Sequence, residues 1–270
     1  MITKKQKRLG QVFLKDRDVL EKIIRASKIN PQDQILEIGP GKGILTKALL
    51  KTGAKIIAVE KDIKLVKFLK NYFKNKSNLK IIHADIRDFL ILNSKFRIPN
   101  SHYKVIGNIP YYLTSHLLQL LLENPKKPTM IVLMIQKEVA ERITSQPPKM
   151  SLLSVSVQFY AKVKIICYVP RTAFHLEPKV DSAVIKIIPD PNIAITKNKA
   201  MQQSFFKVAK AGFKQPRKLL INNLSKNLKI EKGIIQKIFL QLNFPLNTRA
   251  QNLSIKEWRS LSSLLIKNIV

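Results

Sequence analysis

Five short apolar runs alternate with helical stretches through the first half of this 270-residue chain. The runs are nearly continuous in Ile, Val, Leu and Met, which is typical of strands buried on both faces of a sheet. Helical stretches such as 44–53 and 63–75 separate them and are long enough for right-handed crossover connections. We therefore predict an α/β fold with a mostly parallel sheet, whose strands lie at 34–39, 55–60, 80–85, 103–108 and 130–136.

Two further strand-like runs, 161–169 and 182–189, have no long helix between them. We expect them to form an antiparallel pair at one edge of the sheet. After residue 190 the pattern becomes helical. The sequence therefore predicts an α/β domain at 1–190 and a small all-helical domain at 191–270. The second domain contains 15 basic and two acidic residues, so its net charge is +13.

The whole chain is strongly basic, with 49 Lys and Arg against 17 Asp and Glu and a formal net charge of +32. Such a charge creates a positive field that attracts polyanions. Nucleic acid is therefore the first partner class to consider, and a membrane surface is the second. A composition rich in Lys, Ile and Asn contributes to the number of basic residues, but it does not explain why acidic residues are so few.

The single cysteine, Cys167, excludes an intrachain disulfide. No run of about 18 apolar residues is present, so we expect no transmembrane helix. The N-terminal residues include basic side chains but no sustained apolar stretch, and we predict no signal peptide. A cytoplasmic protein is the expectation that agrees with these features.

Three glycines follow the first predicted strand in the spacing G-x-G-x-G, at Gly39, Gly41 and Gly43. Glycine lets the backbone turn tightly and approach a ligand closely. The spacing differs from the G-x-G-x-x-G of dinucleotide sites, and no Gly-Lys-Ser/Thr of a phosphate-binding loop follows. A plain strand-to-helix turn would be compatible with the same glycines, so the turn alone does not identify a ligand.

Polar residues at the ends of the next three strands favour a nucleoside ligand, because open α/β sheets bind ligands outside the carboxyl ends of their strands. We expect Glu60 to accept from ribose hydroxyls and Asp85 to face an adenine amino group, although either acid alone is equally consistent with an ordinary strand-end carboxylate. Without a phosphate-binding lysine loop, the nucleoside has no pyrophosphate, and S-adenosylmethionine is the predicted cofactor. The predicted cofactor-binding set also contains Glu37, Lys61, Ile86 and Asn108.

The segment Asn108-Ile109-Pro110-Tyr111 ends the fourth predicted strand, beside this cofactor. An aromatic amine is a poor nucleophile because its lone pair is delocalised into the ring. The Asn108 side-chain oxygen and the Ile109 carbonyl are suited to accept hydrogen bonds from such an amine and favour its pyramidal form. Pro110 would fix the turn, and Tyr111 offers a flat face to a base. The alternative is a simple Asn-x-Pro turn.

Seven segments together resemble the KsgA family of small-subunit ribosomal RNA adenine dimethyltransferases. They follow one another in order over nearly the whole chain, so chance is not a serious explanation. The segments are 7–14, 37–43, 108–111, 136–142, 178–182, 213–218 and 249–254.

The resemblance implies a Rossmann-like S-adenosylmethionine-dependent methyltransferase sheet followed by a helical RNA-binding domain. It implies that Gln11 and Phe13, on an N-terminal arm, close over the methionine part of the cofactor. It also implies that Phe174 supplies the second stacking face for the target base, next to Asn108, Ile109, Pro110 and Tyr111.

The reaction implied is transfer of methyl groups to N6 of two adjacent adenosines, twice per base, with S-adenosylhomocysteine as the other product. The adenosines lie in a hairpin loop near the 3′ end of small-subunit (16S) rRNA, and the partner is the small ribosomal subunit. We expect no required metal and a monomeric enzyme. Basic residues expected near phosphates are Lys4, Lys5, Lys7 and Arg8 in the arm, and Lys214, Arg217 and Lys218 in the helical domain.

Three positions depart from the pattern of the family: Leu176 replaces a usual proline, Tyr112 a common asparagine and Pro216 a common arginine. Two other functions stay open at this point. One is that of the related large-subunit rRNA methyltransferases of macrolide resistance, against which the 136–142 and 249–254 segments and Asp181 argue. The other is a catalytically silent ribosome-assembly or transcription factor with the same fold, against which the intact glycine turn, Glu60, Asp85 and Asn108 argue.

Overall fold

The computed structural model describes residues 13–91, 102–124, 126–191 and 199–266. It divides the chain into two compact units. The first unit contains Met1–Glu141 and Ala161–Asp190, and the second contains Arg142–Tyr160 and Pro191–Val270. The sequence-based division at residue 190 differs from this grouping, because it leaves residues 142–160 in the first domain.

All seven strands lie in the first unit and form one sheet in the order β3-β2-β1-β4-β5-β7-β6. Strands β1 to β5 are parallel to their neighbours, whereas β7 pairs antiparallel with both β5 and β6. The predicted parallel sheet with an antiparallel edge pair is thereby confirmed. The strands are β1 Gln34–Ile38, β2 Lys55–Glu60, β3 Leu79–His83, β4 Tyr103–Asn108, β5 Met130–Gln136, β6 Ala161–Val169 and β7 Ser182–Pro189.

The third strand ends two residues before its predicted boundary. The last sheet-like bond here is donated by the Ala84 N–H to the Glu60 carbonyl, at 3.0 Å. Asp85 does not continue the strand but caps the helix that follows. Its Oδ1 accepts from the Arg87 N–H at 3.0 Å, and its carbonyl accepts from the Phe89 N–H at 2.9 Å. A side-chain acceptor at the start of a helix satisfies an N–H that has no partner within the helix.

Helices connect the strands of the first unit, and aspartates other than Asp85 begin two more of them. The Asp16 side chain accepts from the Val19 N–H at 3.1 Å, and the Asp62 side chain accepts from the Lys64 N–H at 2.9 Å. The helices are α1 Arg17–Ser27, α2 Ile44–Leu50, α3 Ile63–Tyr72, α4 Ile86–Ile91, α5 Thr114–Glu123 and α6 Lys137–Thr144, and the last three residues of α6 are grouped with the second unit. No helix among the described residues is long and apolar enough to cross a membrane.

Two buried lysines on the sheet fix the end of α1. The Lys104 ammonium on β4 donates to the Lys28 carbonyl and lies 2.7 Å from an Asp33 oxygen. The Lys186 ammonium on β7 donates to the Ala26 carbonyl at 2.7 Å, and burial lowers the pKa of this lysine. Cations stabilise the C-terminal end of a helix, where carbonyls lack intrahelical partners. These contacts hold α1 against one face of the sheet, where it covers core residues such as Ile35.

The described elements of the second unit are all helical, as predicted for the region after residue 190. Its centre includes Trp258, which is fully buried and stacks on Phe213 at 5.3 Å between ring centroids. A Cβ atom on Gly212 would come within 2.5 Å of the Trp258 ring, so only glycine allows this approach. The helices are α7 Leu152–Tyr160, α8 Lys199–Gly212, α9 Leu220–Leu228, α10 Lys232–Gln241 and α11 Ile255–Ile266.

Aromatic packing explains why α7 belongs to the second unit. Phe159 stacks on Phe205 with ring centroids 4.2 Å apart, and the carbonyl of Phe159 accepts from Arg259 at 2.7 Å. Phe206 packs against Phe159 and against Tyr160. The segment is apolar enough to pack on either domain, so its composition does not identify its partner.

Candidate functional site

A cleft opens at the carboxyl ends of β1, β2 and β4, and it gathers most of the predicted site residues. Eleven of them line it: Phe13, Gly39, Gly41, Glu60, Lys61, Asp85, Ile86, Asn108, Ile109, Pro110 and Tyr111. Glu37, Gly43 and Phe174 do not line it. Gln11 and the basic arm residues Lys4, Lys5, Lys7 and Arg8 lie outside the described residues.

The glycine turn has two distinct functions in the local structure. Gly41 has a φ of +59°, and a Cβ there would come within 2.9 Å of the Phe13 ring, so glycine lets Phe13 lie over the turn. Gly43 has a φ of +81°, and a Cβ there would meet Leu69 and Phe73 of the α3 region at under 3.0 Å. Gly41 therefore shapes the cleft, whereas Gly43 lets helix α3 pack against the turn behind it.

Glu60 is almost completely buried, at 5% exposure, and its carboxylate faces the glycine turn. One oxygen accepts from the Gly41 N–H at 3.2 Å and the other accepts from the Asp62 N–H at 2.9 Å. Burial raises the pKa of Glu60, and these N–H groups oppose the shift because they stabilise the charged form. Each oxygen keeps a second lone pair, so the carboxylate is able to accept from a pair of hydroxyl groups in the cleft.

Asp85 lies across the cleft from the turn and is held by two cations. Its Oδ1 accepts from the Arg87 N–H and Nε, both at 3.0 Å, and its Oδ2 accepts from Arg87 Nη2 at 2.7 Å and from Lys61 Nζ at 2.9 Å. The Arg87 contacts, and then Lys61, hold the pKa of Asp85 well below its usual range despite the opposing effect of burial. All four lone-pair positions of this carboxylate are therefore occupied. An incoming donor has to share or displace one of them.

Glu37 lies in the sheet core behind the cleft, on β1. It is fully buried, and neither of its carboxyl oxygens has a hydrogen-bond partner among the described residues. Burial raises the pKa of Glu37 to about 8; the neighbouring Glu60 adds to the shift, and Thr46 opposes it. Burial therefore favours the neutral form of Glu37, because a charge at this depth is strongly disfavoured.

The Asn108–Tyr111 turn is held at both ends. Asn108 is the last residue of β4, and Ile109 is buried at 2% exposure. Tyr111 begins a single 3₁₀ turn, and its carbonyl accepts from the Thr114 hydroxyl at 3.0 Å. The Tyr111 hydroxyl lies 2.8 Å from Ser182 Oγ on β7, and burial raises the pKa of this phenol. Asn108, Ile109 and Tyr111 therefore line the cleft from a turn whose C-terminal end is held by hydrogen bonds.

Phe174 does not face the cleft, in contrast to the role implied by the resemblance. It is 1% exposed and belongs to the core cluster. The cause is a short antiparallel contact, in which Leu14 bridges Phe174, the His175 N–H donates to the Phe13 carbonyl and the Lys15 N–H donates to the Ala173 carbonyl, both at 2.9 Å. In this arrangement His175, not Phe174, lines the cleft.

Several residues at the site were not among the site residues predicted from the sequence. Ser182 holds Tyr111, and Lys42 lies over the Phe13 ring at 5.2 Å from its centroid. Tyr112 borders the cleft and is 62% exposed. Ser182 belongs to a segment quoted for the resemblance, but nothing in the sequence indicates that it contacts Tyr111. Within the described ranges, no three His, Cys, Asp or Glu side chains are arranged to hold a metal ion.

The family model described as "Ribosomal RNA adenine dimethylase" matches residues 2–267 of the chain. A relative from Dehalococcoides mccartyi, named ribosomal RNA small subunit methyltransferase A, is 40% identical over 260 residues, which cover 96% of this chain and 87% of the relative. A protein of the same name from Streptococcus pneumoniae serotype 2 is 37% identical over 269 residues and covers 96% of this chain and 91% of its own length.

Two solved structures are similar over almost the whole chain. A dimethyladenosine transferase from Plasmodium falciparum has a TM-score of 0.78 and 27% identity, covering 95% of this chain and 98% of its own. The 23S rRNA methyltransferase ErmE has a TM-score of 0.76 and 23% identity, covering 94% and 99%, and it supports the fold alone. From the family model and the relatives near 40% identity, we conclude that this chain belongs to the ribosomal RNA adenine dimethylase family.

Proposed function

We propose that this chain transfers methyl groups from S-adenosylmethionine to N6 of adenosines in small-subunit rRNA. One observation supports the proposal above all others. The Asn108–Tyr111 turn opens into the same cleft as the glycine turn and the two strand-end acids, Glu60 and Asp85. A site for an aromatic amine therefore adjoins a site suited to a nucleoside, which is the arrangement that methyl transfer to adenine requires.

The residues present suit the proposed cofactor. Glu60 retains free acceptor positions for ribose hydroxyls, and Asp85 with the adjacent Ile86 borders the part of the cleft assigned to adenine. Glycine at position 41 lets the Phe13 ring lie over the turn, because a Cβ there would come within 2.9 Å of the ring. Gly39 and Phe13 complete this part of the site. Lys61 borders the same part of the cleft, where it donates a hydrogen bond to Asp85. Gln11 remains an expectation for the methionine end.

S-adenosylmethionine supplies a sulfonium-bound methyl group. Asn108 and the Ile109 carbonyl would accept hydrogen bonds from the adenine N6 amine and turn its lone pair toward that methyl group. The transfer would leave S-adenosylhomocysteine as the other product, and water would take the proton that the N6 nitrogen loses. Tyr111 would hold the base by stacking. Positioning of this kind can contribute about 7–11 kcal/mol when reacting groups are well oriented.

Phe174 differs from the other residues assigned to the target base, because its ring is buried. If it is the second stacking face, the 13–16 segment has to move when RNA binds. His175 and Tyr112 already border the cleft and are the described side chains next to the turn that are able to contact a bound base without such a movement.

The proposed substrate follows from the relatives and the charge. The relatives at 37–40% identity are named for the small ribosomal subunit, and a net charge of +32 favours a polyanion. The finer target, two adjacent adenosines in a hairpin loop near the 3′ end of 16S rRNA, suits a site that needs an unstacked base. We expect the enzyme to act as a monomer in the cytoplasm.

The test is a methylation assay with radiolabelled S-adenosylmethionine and separate, unmethylated small and large subunits. The wild-type protein should label the small subunit, and digestion with mass spectrometry should give N6,N6-dimethyladenosine. Asn108→Ala should nearly abolish turnover while RNA binding stays within a few-fold, because the contacts act mainly in the transition state. Asn30→Ala, an exposed asparagine on the same unit, is the matched control. Labelling of the large subunit, or full turnover of Asn108→Ala, would refute the proposal.

A further inference from the structure

Helix α3 exposes two aromatic rings that its packing does not need. Phe68 is 46% exposed and Tyr72 is 55% exposed, and Ile63 on the same helix is 46% exposed. Twelve large hydrophobic side chains are exposed among the described residues, and three of them belong to this ten-residue helix. The Phe68 and Tyr72 rings are nearly parallel, with an interplanar angle of 13° and centroids 5.7 Å apart. The two rings therefore stack on each other, and both are open to solvent.

The opposite side of α3 anchors the helix. Val66 and Leu69 are buried, and Leu69 and Phe73 pack so closely on Gly43 that a Cβ there would contact both. An amphipathic helix needs one apolar stripe to bind its domain. Tyr72 meets the buried Phe73 edge-on, with ring centroids 4.8 Å apart, but the stripe is complete without Phe68. The exposure of both rings is therefore not explained by the fold, and exposed aromatic groups of this kind are typical of interaction sites.

The surroundings of the pair are uniformly positive. No acidic residue occurs between Asp62 and Asp85, whereas six lysines do, and all six are exposed: Lys64, Lys67, Lys70, Lys74, Lys76 and Lys80. None of the six forms an ion pair within the described residues. Lys64 lies four residues before Phe68 and is therefore its neighbour on the helix surface, and Lys67 lies three residues after Lys64 on the same side of the helix. This charge is complementary to a polyanion.

The helix begins at the cleft. Asp62, its N-cap, lines the cleft beside Lys61. From Asp62, Phe68 lies about 9 Å along the helix axis and Tyr72 about 15 Å. Strand β2, which precedes the helix, is two strands from β4 and hence about 10 Å from Asn108. A nucleic-acid strand with one base at Asn108 would reach α3 with the residues that flank that base.

We propose that the outer face of α3, formed by Lys64, Lys67, Phe68 and Tyr72, binds a single-stranded segment of RNA next to the target adenosine. A base stacks on the aromatic pair, and the lysines contact the adjoining phosphates. Base stacking on protein aromatics combined with backbone neutralisation is a sequence-tolerant way to hold unpaired RNA. The inference rests on the proposed function, because that function supplies the RNA.

An anionic membrane surface also attracts lysines and aromatic rings. RNA is the occupant that the structure favours, because the two rings lie parallel to each other and the helix starts at the proposed catalytic cleft. The test therefore includes binding to anionic vesicles, which would indicate a membrane surface instead of RNA.

The experiment compares three double variants of the full chain. Phe68→Ala with Tyr72→Ala removes the rings, and Lys64→Gln with Lys67→Gln removes the charges. Lys47→Gln with Lys51→Gln, two exposed lysines on and just after α2, is the matched control. Affinity for unmethylated small subunits and for an unstructured oligoribonucleotide is measured over a range of salt concentrations. Cofactor affinity is measured without RNA, and binding to phosphatidylserine vesicles is measured separately.

We expect the ring variant to bind RNA about tenfold more weakly with little change in salt dependence. The lysine variant should lower the log–log salt slope by about one to two. The control and all cofactor affinities should match the wild type. Wild-type RNA affinity and salt slope in both α3 variants, an equal effect in the α2 control, or a selective loss of vesicle binding would each overturn the inference. Failure of the proposed function would look different, because the wild-type protein would then leave the small subunit unmethylated, whatever its α3 variants bind.

Discussion

The hydroxyl of Tyr111, on the turn after β4, lies 2.8 Å from Ser182 Oγ, at the start of β7. Ser182 is fully buried. The preceding residue, Asp181, accepts from the Arg171 N–H at 3.2 Å with its side chain and from the Lys137 N–H at 3.0 Å with its carbonyl. One short segment therefore fixes the proposed base-stacking ring and the start of α6 at the same time.

We predict that this hydrogen bond contributes to turnover through the position of the Tyr111 ring. Tyr111→Phe and Ser182→Ala each remove one side of the hydrogen bond, and each should raise the barrier for RNA methylation by about 0.5–1.5 kcal/mol. The double variant should be no worse than either single variant, because both remove the same interaction. Steady-state turnover on small subunits measures the effect. Additive losses would mean that the two groups act separately.

Glu60 should be the main determinant of ribose binding. Glu60→Ala removes a charge-assisted acceptor, whose loss costs about 1.5–3 kcal/mol of cofactor affinity. Calorimetric titration with S-adenosylmethionine measures it, and circular dichroism shows that the variant is folded. Glu21→Ala, an exposed acid on α1 of the same unit, is the control. Unchanged affinity in a folded Glu60→Ala protein would refute the assignment.

Asp85 leads to a prediction about Lys61. Because Arg87 and Lys61 occupy all four acceptor positions of Asp85, an adenine amino group has to displace one donor. Lys61 donates a single hydrogen bond and its side chain is 55% exposed, so it is the easiest to displace. Lys61→Met should therefore preserve cofactor affinity or strengthen it by a few-fold. A marked loss of affinity would show instead that the Lys61 ammonium contacts the cofactor directly.

The sheet could be predicted because the local composition of the sequence indicates its strands. The runs that became β2, β4, β5, β6 and β7 have the predicted bounds, since each is rich in apolar residues and ends at, or just before, a polar or turn residue. The cleft followed from the same logic, because the strand ends of a parallel sheet converge at one edge. Asp85 shows where this logic stops: whether an acid ends a strand or begins a helix depends on the N–H groups that it meets after the turn.

Features set by tertiary packing could not be predicted. Phe174 is an aromatic residue in a loop, and its burial depends on the pairing of residues 13–16 with 173–175. Helix α7 packs with Phe205 and Arg259, which are distant in sequence. The ionisation of Glu37 depends on depth rather than on its neighbours in the chain. Each of these features depends on contacts between residues that are distant in the sequence, and a local sequence pattern does not predict such contacts.

Glu37 should make the protein less stable as the pH rises. Below its ordinary pKa of 4.5 both the folded and the unfolded chain hold the proton, whereas between 4.5 and about 8 only the folded chain does. The stability contributed by this group is therefore complete below pH 4.5 and is lost progressively up to about pH 8. The slope contributed by this one group approaches about 1.4 kcal/mol per pH unit.

Glu37→Gln removes this titration and keeps the shape of the side chain. The free energy of unfolding, measured by denaturant titration of the cofactor-free protein, should fall less steeply between pH 5 and 8 in the variant. Glu21→Gln is the exposed control and should follow the wild-type slope. Parallel slopes in Glu37→Gln and wild type would show that Glu37 is ionised in the folded protein.

The second unit offers a charged loop between α8 and α9. The Lys218 N–H donates to the Gln215 carbonyl at 3.0 Å, and Asn223 donates to the same carbonyl at 2.9 Å, so the backbone is held while Lys214, Arg217 and Lys218 are exposed. A fixed loop with three cations is suited to bind phosphates without first being ordered. Phosphate binding here would offset the cost of unstacking the target base, which is a few kcal/mol.

Neutralising the three residues together, as Lys214→Gln, Arg217→Gln and Lys218→Gln, should weaken binding to the small subunit and make it less sensitive to salt. The log–log slope should fall by about one for each phosphate that the variant no longer neutralises. Cofactor affinity should not change, because the candidate cofactor residues belong to the first unit.

The exposed lysines Lys226, Lys232 and Lys237 of the second unit provide a triple control of similar charge. Equal slopes in the loop variant and wild type would mean that this loop does not bind RNA. An equal decrease in both triple variants would mean that the net charge of the unit, rather than this loop, determines binding.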